Sequence, residues 1–347
     1  MQTKYFLAVI ALLLGVGLCQ FGDAPALAQQ MASDGAASAA AAVSILPGQL
    51  PLVDQNGSWV FRRQVNEVTV MFTASQKGKF VAGLQRNDVQ VRDDKRPPAE
   101  VMDFRNEQNL PLRLGLLIDT SGSVSDHFRF ETQAASQFAK EVADNQHDRV
   151  FVAGFSHRMR VTQDYTNDPA KVSRGLEKLH DDQGDTAVFD AVVRACKKLA
   201  DSGDQQPVAR VLVLLSDGDD NASRATLKDV AEIAQSEEVT IYTVSTNPRG
   251  LNLIGDEALQ KLAEQSGGRG LFPGSKKQVT KAFDRIRDEL RNRYAVSYRP
   301  AEFKPDGHFR RIRIVARRFG KKLHVHARQG YYARPILADV IGASARP

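Results

Sequence analysis

The sequence predicts a doubly wound α/β domain with a mostly parallel sheet, flanked on both sides by β-rich segments. Three observations support this prediction. Between about residues 110 and 293, apolar runs alternate with amphipathic helical patterns, as in a parallel sheet that helices cover on both faces. The segments 56–108 and 294–334 carry short runs punctuated by Gly, Pro and Asp, which are typical of strands. The 42% hydrophobic and 25% charged content of the 347-residue chain is that of a globular protein.

The first residues have the pattern of a secretory signal peptide spanning 1–28. Lys4 supplies the positive start, residues 5–18 form a nearly unbroken apolar run, and Ala26-Leu27-Ala28 is an A-x-A cleavage site. Because the run is too short to span a membrane comfortably, we expect cleavage near Ala28 and an exported protein that is periplasmic or secreted. An uncleaved N-terminal anchor is the alternative.

Cysteine usage offers no covalent support to the fold. Lipid attachment at Cys19 is disfavoured because Leu18, rather than a small residue, precedes it. If Cys19 leaves with the signal peptide, Cys196 is the one cysteine that remains, and no internal disulfide can form. We therefore expect the hydrophobic core, together with any bound metal, to stabilise the mature chain.

Residues 29–55 form a predicted flexible linker, since they are rich in Ala, Ser, Gly, Gln and Pro and lack apolar periodicity. The next segment, 56–108, is predicted to be β-rich, because Val68, Val70 and Phe72 alternate with polar residues. The roughly forty patterned residues of this segment are too few to bury a good core alone. The segment must therefore pack against another part of the chain.

The central segment, 110–293, carries the strand and helix patterns of the α/β domain. Asp168 and Pro169 mark one helix start, as cap and first-turn residue, and Ser223 is the predicted cap of another helix. The segment 159–165 is polar enough to be an edge strand. The predicted strands are 114–118, 150–155, 159–165, 211–215, 239–244 and 270–272. The predicted helices are 128–142, 169–180, 187–200, 224–236, 257–265 and a last one that ends near 293.

After residue 293 the pattern returns to strands, and the C-terminal flank 294–334 precedes a tail, 335–347. The two flanks together offer about seven strands, enough for one β-sandwich with the α/β domain inserted between them. The alternative is two separate extensions packed on that domain. The sequence leaves both arrangements open.

Side chains with oxygen ligands gather where two strand ends and one helix start are predicted to meet. They are Asp119, Ser121, Ser123, Thr186 and Asp217. Because the carboxyl ends of parallel strands share one edge of a sheet, we expect these side chains to lie together. Carboxylate and hydroxyl oxygens, without thiol or imidazole, suit one hard divalent cation such as Mg²⁺, with Mn²⁺ or Ca²⁺ as alternatives.

The charge of this predicted site favours binding over catalysis. Only two carboxylates would face the cation, so it keeps effective positive charge and an exchangeable position. That position can accept an acidic side chain of a partner. The sequence has no G-x-S-x-G elbow, H-E-x-x-H helix or P-loop, and His157 is the one candidate general base. We therefore expect no enzymatic activity.

The string Asp119-Thr120-Ser121-Gly122-Ser123, with Thr186 and Asp217, resembles the metal-ion-dependent adhesion site of von Willebrand factor A domains. The helix opening at 186–191 and the strand end at 215–218 are also similar to that family, and the resemblance covers about residues 110–293. It implies a Rossmann-like fold in which Ser121, Ser123 and Thr186 contact the metal directly. Asp119 and Asp217 would act largely through water. The two flanks resemble those of a bacterial exported subgroup, which implies export.

Other polar residues have simpler interpretations. Asp126 could support a second metal, but a helix cap is favoured, and 217–221 resembles the start of a calcium loop without its later Glu. Asp219 and Asp220 in this turn could tune the charge of the metal face. His324 and His326 share a strand face, where two histidines without a third ligand are typical of solvated surface residues.

Positive charge concentrates near the C-terminus. Between residues 285 and 334 the sequence has 15 Lys and Arg against 4 Asp and Glu, a net charge of +11, while the whole chain carries +6. Arg311 and Arg313 share one strand face, either an ordinary exposed sheet face or a patch for an anionic lipid, a polysaccharide or an acidic protein. The sequence has no nucleic-acid motif, so nucleic acid is not an expected partner.

The leading hypothesis is an exported, metal-dependent adhesion or assembly module of the bacterial cell envelope, which binds an acidic residue of a protein partner. Two hypotheses from other classes compete with it. One is a metal-assisted hydrolase that uses His157, and the other is a scaffold that binds through the basic β flank without metal. Metal and partner binding by Asp119→Ala, and activity assays on His157→Ala, discriminate among the three.

Overall fold

A computed structural model of the chain describes residues 67–107, 110–121, 126–143, 146–180, 184–204, 207–247 and 253–333, with three outlying strands at 52–53, 59–65 and 336–341. The predicted signal peptide 1–28, with its Cys19, lies outside the described residues, and so does Ser123. No helix in the described ranges is long and apolar enough to cross a membrane.

The elements alternate in the centre of the chain and are strands alone at both ends. The strands, numbered in chain order, are β1 Leu52–Val53, β2 Trp59–Val65, β3 Val68–Gln76, β4 Lys79–Phe80, β5 Val89–Asp93, β6 Glu100–Asn106, β7 Leu112–Asp119, β8 Arg149–Phe155, β9 Met159–Thr166, β10 Ala209–Ser216, β11 Val239–Ser245, β12 Gly270–Leu271, β13 Arg293–Arg299, β14 Phe309–Arg318, β15 Lys321–Lys322, β16 His324–Ala327, β17 Gly330–Tyr332 and β18 Ile336–Ile341. The helices are α1 Asp126–Val142, α2 Pro169–Glu177, α3 Val188–Ala200, α4 Leu227–Ser236, α5 Leu253–Ser266 and α6 Lys276–Leu290.

The central sheet has the strand order β12-β11-β10-β7-β8-β9, so that β7 and β10 lie side by side in its middle. Every neighbouring pair in this sheet is parallel except β8 and β9, which are antiparallel. The strand β9 lies at the sheet edge, as its polar sequence predicts. The doubly wound, mostly parallel sheet of the sequence prediction is therefore the fold of this domain.

Helices cover both faces of this sheet, and each face has its own apolar core. Along β7, Leu116 faces the cluster built with α1, α2 and α6, whereas Leu117 faces the cluster built with α3, α4 and α5. Both leucines are buried, and full burial of one leucine side chain stabilises the folded state by about 1.5–3 kcal/mol. Cys196 is a free thiol inside the second cluster. The continuous apolar runs of the sequence reflect this burial on both faces.

Helix starts follow local capping chemistry, and one of them corrects the sequence prediction. Asp168 caps α2 as expected, because its carboxylate accepts a hydrogen bond from Ala170 N over 2.8 Å. Ser223 does not cap α4. That helix begins at Leu227, and Thr226 is its cap, since Thr226 and Asp229 form a reciprocal capping box. The capping box supplies two hydrogen bonds at once, which explains why it sets the boundary.

Strands from the two β flanks pair with each other. In one sheet, β3 lies between β13 and β16, and β6 pairs with β13. In the other, β14 pairs with β5, β15 and β17. Both sheets contribute to one apolar core, in which Phe72 and Tyr294 stack with ring centroids 5.5 Å apart. The flanks thus form one β-sandwich, the first of the two arrangements that the sequence leaves open.

A buried carboxylate connects the N- and C-terminal parts of this sandwich. The Oδ2 atom of Asp93 accepts hydrogen bonds from the hydroxyls of Tyr298, over 2.9 Å, and Tyr331, over 2.8 Å. Burial raises the pKa of Asp93, and the two tyrosine hydroxyls oppose that rise. Separately, β18 pairs with β2 in a three-stranded sheet, so part of the predicted C-terminal tail is a strand.

Candidate metal centre

The candidate site lies at the carboxyl ends of the two central strands. The register of β7 and β10 pairs Ile118 with Leu215, so Asp119 and Ser216 are neighbours at the strand ends. The Ser216 hydroxyl donates a hydrogen bond to Asp119 Oδ2 over 2.6 Å. Both main-chain and side-chain groups of Thr120 donate to Phe155 O, which ties the turn after β7 to the neighbouring strand β8. The turn that carries the predicted ligands is therefore anchored on both sides.

A directed chain of hydroxyl groups converges on Asp119. Thr186 Oγ1 donates to Ser121 Oγ over 2.6 Å, and Ser121 Oγ donates to Asp119 Oδ1 over 2.6 Å. The main-chain N–H of Ser121 donates to the same carboxylate oxygen over 3.0 Å. Each hydroxyl proton points toward Asp119, so the lone pairs of Thr186 Oγ1 remain available to a further electrophile.

Main-chain contacts hold Thr186 in this position. Its N–H donates to Asn221 Oδ1 over 2.8 Å, and its carbonyl accepts from the N–H groups of Asn221 and Ala222 over 3.0 and 3.1 Å. The next residue, Ala187, donates to Ser156 O over 2.9 Å. Thr186 is itself buried, and the loop that follows β10 fixes its main chain.

Asp217 is the second carboxylate at this edge and is only partly buried. Its Oδ1 accepts a hydrogen bond from Asp219 N over 3.0 Å, and its carbonyl accepts one from Asn247 Nδ2 over 2.7 Å. Asn247 also donates to Asp256 Oδ1 over 3.0 Å, which links the loop after β11 to α5. The loop that carries Asp217 is thus fixed by two neighbouring elements.

The turn at Gly218 requires glycine for two reasons. Its φ is +82°, in the left-handed region, and a Cβ there would lie 2.3 Å from the carbonyl oxygen of Gly255. The start of α5 consequently packs directly on the loop of the candidate site. Ile254, next to Gly255, is 84% exposed and lies at the rim of this edge.

Electrostatics at the site favour a cation. Burial raises the pKa of Asp119 to about 6, the Ser121 and Ser216 hydrogen bonds lower it, and the nearby charge of Asp217 raises it. The pKa of Asp217 is also raised, chiefly by burial. Two carboxylates that are costly to ionise side by side are stabilised when a positive charge lies between or beside them.

The donor set fits a hard divalent cation held by oxygen atoms. The Ser121 and Thr186 hydroxyls and the carboxylates of Asp119 and Asp217 lie at one edge, and none of these groups is a thiol or an imidazole. Among the described residues no group of three or more His, Cys, Asp or Glu could hold a metal ion. A site here would depend on hydroxyl ligands beside its two carboxylates.

The other predicted candidates each have contacts of their own. Asp126 is the first residue of α1, and its side chain lies outside the described residues. Asp220 accepts hydrogen bonds from Phe189 N and Ser223 N, so it supports the start of α3. His157 is exposed, and its ring lies 3.3 Å from Ser156 Oγ.

The two histidines of β16 differ in environment, which corrects their interpretation as solvated surface residues. His324 is exposed. His326 is partly buried, its Nε2 lies 2.8 Å from Gly268 O, and burial lowers its pKa. His326 therefore joins the sandwich to the α/β domain.

Four further residues shape the site without being part of the motif in the sequence. Ser216, at a strand end beside Asp217, carried a recognisable signal, because a hydroxyl there can reach a carboxylate on the next strand. Asn221, Asn247 and Asp256 carried none, since each meets the site through tertiary contacts with distant loops. These residues hold the loops in place and are not candidate ligands.

A family model of known proteins agrees with the fold of the central domain. The sequence model of the von Willebrand factor type A domain matches residues 114–285. Among solved structures, the chain is similar to von Willebrand factor type A from Catenulispora acidiphila, at 15% identity over 79% of this chain and 75% of that chain, with a TM-score of 0.42. It is also similar to an aerotolerance-related membrane protein from Bacteroides fragilis NCTC 9343, at 17% identity over 51% of this chain and 99% of that chain, with a TM-score of 0.41. No curated protein sequence matches the chain.

Proposed function

Residues 114–285 form a von Willebrand factor type A domain, and from this premise we propose that the chain is a metal-dependent binding module. The proposed ligand is an acidic side chain of a protein partner. Ser121 and Thr186 would hold one divalent cation, Mg²⁺ by preference, with Mn²⁺ or Ca²⁺ as substitutes. The proposed ligand set also includes Ser123, which lies outside the described residues, and Asp119 and Asp217 acting largely through water.

The observation that carries this proposal is the direction of the hydroxyl chain from Thr186 through Ser121 to Asp119. A hydroxyl that donates its proton to a carboxylate presents its lone pairs on the opposite side. Asp119 therefore orients Ser121 for a cation without occupying the position itself. Ser216 fixes the other oxygen of the same carboxylate, so the orientation does not depend on a bound ion.

The cation, when bound, supplies an open coordination position for a carboxylate. The residues of this chain position the cation and determine how much of its positive charge remains. Because the two hydroxyl ligands are neutral, the site retains positive charge toward the partner. The exposed Ile254 at the rim adds an apolar contact, which favours a partner with an apolar residue beside its acidic one.

We place the module in the bacterial cell envelope, as an exported adhesion or assembly protein. The support is the N-terminal pattern of residues 1–28, with its positive start, apolar run and A-x-A site. This pattern favours the periplasm or secretion over the cytoplasm.

The direct test is calorimetric titration of Mg²⁺, Mn²⁺ and Ca²⁺ into the metal-free chain, with Asp119→Ala and a matched control, Asp168→Ala. Asp168 caps α2, so its loss costs about 1 kcal/mol of stability without touching the site. We expect saturable binding near one ion per chain in the wild type and the control, and none in Asp119→Ala. Equal binding by Asp119→Ala, or no binding by a folded wild type, contradicts the proposal.

Partner binding separates this function from the two competing classes. Capture of a partner that is lost on chelation and in Asp119→Ala supports the metal-dependent mechanism. Capture that survives both favours a scaffold that binds through its basic β flank. Hydrolysis of an ester, phosphate or peptide that disappears in His157→Ala would favour an enzyme instead.

A further inference from the structure

The hairpin between β14 and β15 exposes an aromatic ring at its tip. Phe319 and Gly320 form the two-residue turn, with φ values of +48° and +74°. Such turns favour Asn, Asp or Gly, because both residues must adopt positive φ. A bulky residue in this conformation is unusual, and here its ring is 91% exposed. The position of Phe319 therefore strains its backbone and leaves its side chain unburied.

Four cations flank the turn, two on each strand. The register pairs Arg317 with Lys322 and Arg318 with Lys321, so like charges face each other across the ladder. Directly opposed like charges destabilise a sheet. The Arg318 guanidinium donates to Ala82 O and lies 5.4 Å from the Phe319 ring, whereas no ion pair joins the other three cations to any acid among the described residues.

The charge continues along the sheet from this tip. Arg311, Arg313 and Arg317 are exposed on one face of β14, where Val315 lies between the last two. Arg313 lies opposite Arg92 of β5, a further pair of like charges that are both exposed. The β3–β4 turn, with Lys77 exposed, lies toward the same end, because His324 of β16 pairs with Ser75.

We propose that the basic hairpin tip, residues 317–322, binds the surface of a membrane that contains anionic phospholipid. The Phe319 ring enters the interfacial region, and the surrounding cations lie at the level of the lipid phosphates. An aromatic ring is favoured at a membrane interface, and nearby Lys and Arg are attracted to anionic headgroups. The positive φ of Phe319, the opposed like charges and the exposed ring each raise the free energy of the unbound tip. An anionic membrane surface would reduce the repulsion between the cations and would cover the ring.

A lipid surface fits these observations better than the other anionic partners. A soluble polysaccharide neutralises the cations but leaves the ring in water. An acidic protein would need a complementary apolar pocket for a ring that projects from a convex tip. A bilayer interface accepts a single projecting aromatic side chain and a surrounding ring of cations together.

The test places a fluorophore at the tip of the full chain. Trp59→Phe removes the one native tryptophan, and Phe319→Trp then reports on the tip alone. We expect vesicles of phosphatidylcholine and phosphatidylglycerol to shift this emission to the blue and brominated lipid to quench it. The readout is local, so binding through any other part of the chain, the N-terminal apolar run included, does not produce it.

Two matched controls define the expected result. Phe309→Trp, at the opposite end of β14, carries the same probe and is expected to show neither shift nor quenching. Arg317→Thr with Lys322→Thr is expected to weaken partitioning by roughly thirtyfold, about fivefold per cation, the equivalent of about 1 kcal/mol each. Lys171→Thr with Lys178→Thr, which removes two exposed cations from the α/β domain, is expected to leave it unchanged.

Four outcomes overturn the proposal. They are a tip probe that ignores anionic vesicles, an equal response to phosphatidylcholine alone, partitioning that is unaffected by loss of Arg317 and Lys322, and a response to dextran sulfate without any response to vesicles. The last outcome would assign the tip to soluble polyanions.

Discussion

The hydroxyl of Thr186 donates a hydrogen bond to Ser121 Oγ over 2.6 Å, although 65 residues separate the two in sequence. This contact joins the turn after β7 to the loop before α3 at a single point. Since Ser121 in turn donates to Asp119, removal of one hydroxyl changes the orientation of the next. The candidate site is therefore a network whose members are expected to act together.

Thr186→Val removes this hydroxyl while keeping the shape of the side chain. We expect metal affinity to fall on the order of 10- to 100-fold, and stability to fall by about 1 kcal/mol, because Ser121 loses its donor. Calorimetric titration of Mg²⁺ and urea unfolding measure the two effects. Thr69→Val is the matched control, since Thr69 Oγ1 lies 2.8 Å from Ser297 Oγ in the sandwich. The control should lose similar stability with no loss of metal affinity, and equal affinity losses in both variants would refute the network.

Gly218→Ala is expected to disrupt the site through the backbone. The left-handed φ alone costs about 1–2 kcal/mol, and the new Cβ must displace the backbone at Gly255, which moves the loop of Asp217. Gly203→Ala isolates the first effect, since φ there is +72° and no atom lies within 4 Å of the added Cβ. We expect both variants to lose stability in urea, but Gly218→Ala alone to lose metal binding. Normal metal binding by Gly218→Ala would argue against a site at this loop.

Glu131 predicts a pH dependence of stability. It is a buried carboxyl on α1, and burial raises its pKa from 4.5 to about 7. The folded state therefore binds this proton more tightly than the unfolded state. Its contribution is fully present below about pH 4.5 and is lost as the pH rises through about 7. Glutamine cannot ionise, so the stability of Glu131→Gln does not fall with pH for this reason.

Relative to Glu131→Gln, the wild type should lose on the order of 3 kcal/mol of unfolding free energy across this range. Urea unfolding followed by the helical circular dichroism signal, at several pH values, measures the difference. Other titrating groups cancel because they are common to both proteins. Parallel pH profiles for the two proteins would show that Glu131 is ionised without cost in the folded state.

The tyrosine pair on Asp93 predicts non-additive losses in the sandwich. Tyr298→Phe or Tyr331→Phe alone leaves the carboxylate one donor, and each is expected to cost about 1–3 kcal/mol. The double variant leaves this buried oxygen without either donor, so its cost should exceed the sum of the single losses. Tyr165→Phe, whose hydroxyl donates to Lys198 O in the α/β domain, provides the control for loss of a tyrosine hydroxyl. Strict additivity would mean that water replaces the missing hydroxyls.

The sequence predicted the structure best for strands that are buried on both faces of the sheet, because burial limits the residue types at every position. The apolar runs of β7, β10 and β11 predict these strands because each side chain in them faces a core. The edge strand β9 was equally clear from its polarity. The start of α4 was misplaced, since Ser223 and Thr226 are both acceptable caps and only the capping box with Asp229 distinguishes them.

The sequence predicted that three polar residues of the candidate site lie together, but it did not predict the residues that support them. Asp119, Ser121 and Thr186 stand in recognisable positions at strand and helix ends, and the structure brings them into hydrogen-bond contact. Asn221 and Asn247 were not predictable, because their partners lie 35 and 30 residues away and depend on how the loops pack. Long-range side-chain contacts leave no periodic trace in a sequence.

The α/β domain enters and leaves the sandwich through neighbouring antiparallel strands. Asn106, at the end of β6, pairs with Tyr294 near the start of β13, and Glu107 N donates to Arg293 O over 3.0 Å. Tension applied by a partner at the metal edge would therefore load both strands at the same end. Both strands would then be pulled in the same direction, so the load would fall as shear on the ladder between β13 and its other neighbour, β3, whose six residue pairs would resist together. The inserted domain would therefore be tethered through a stiff mechanical link, which resists a force along the strands.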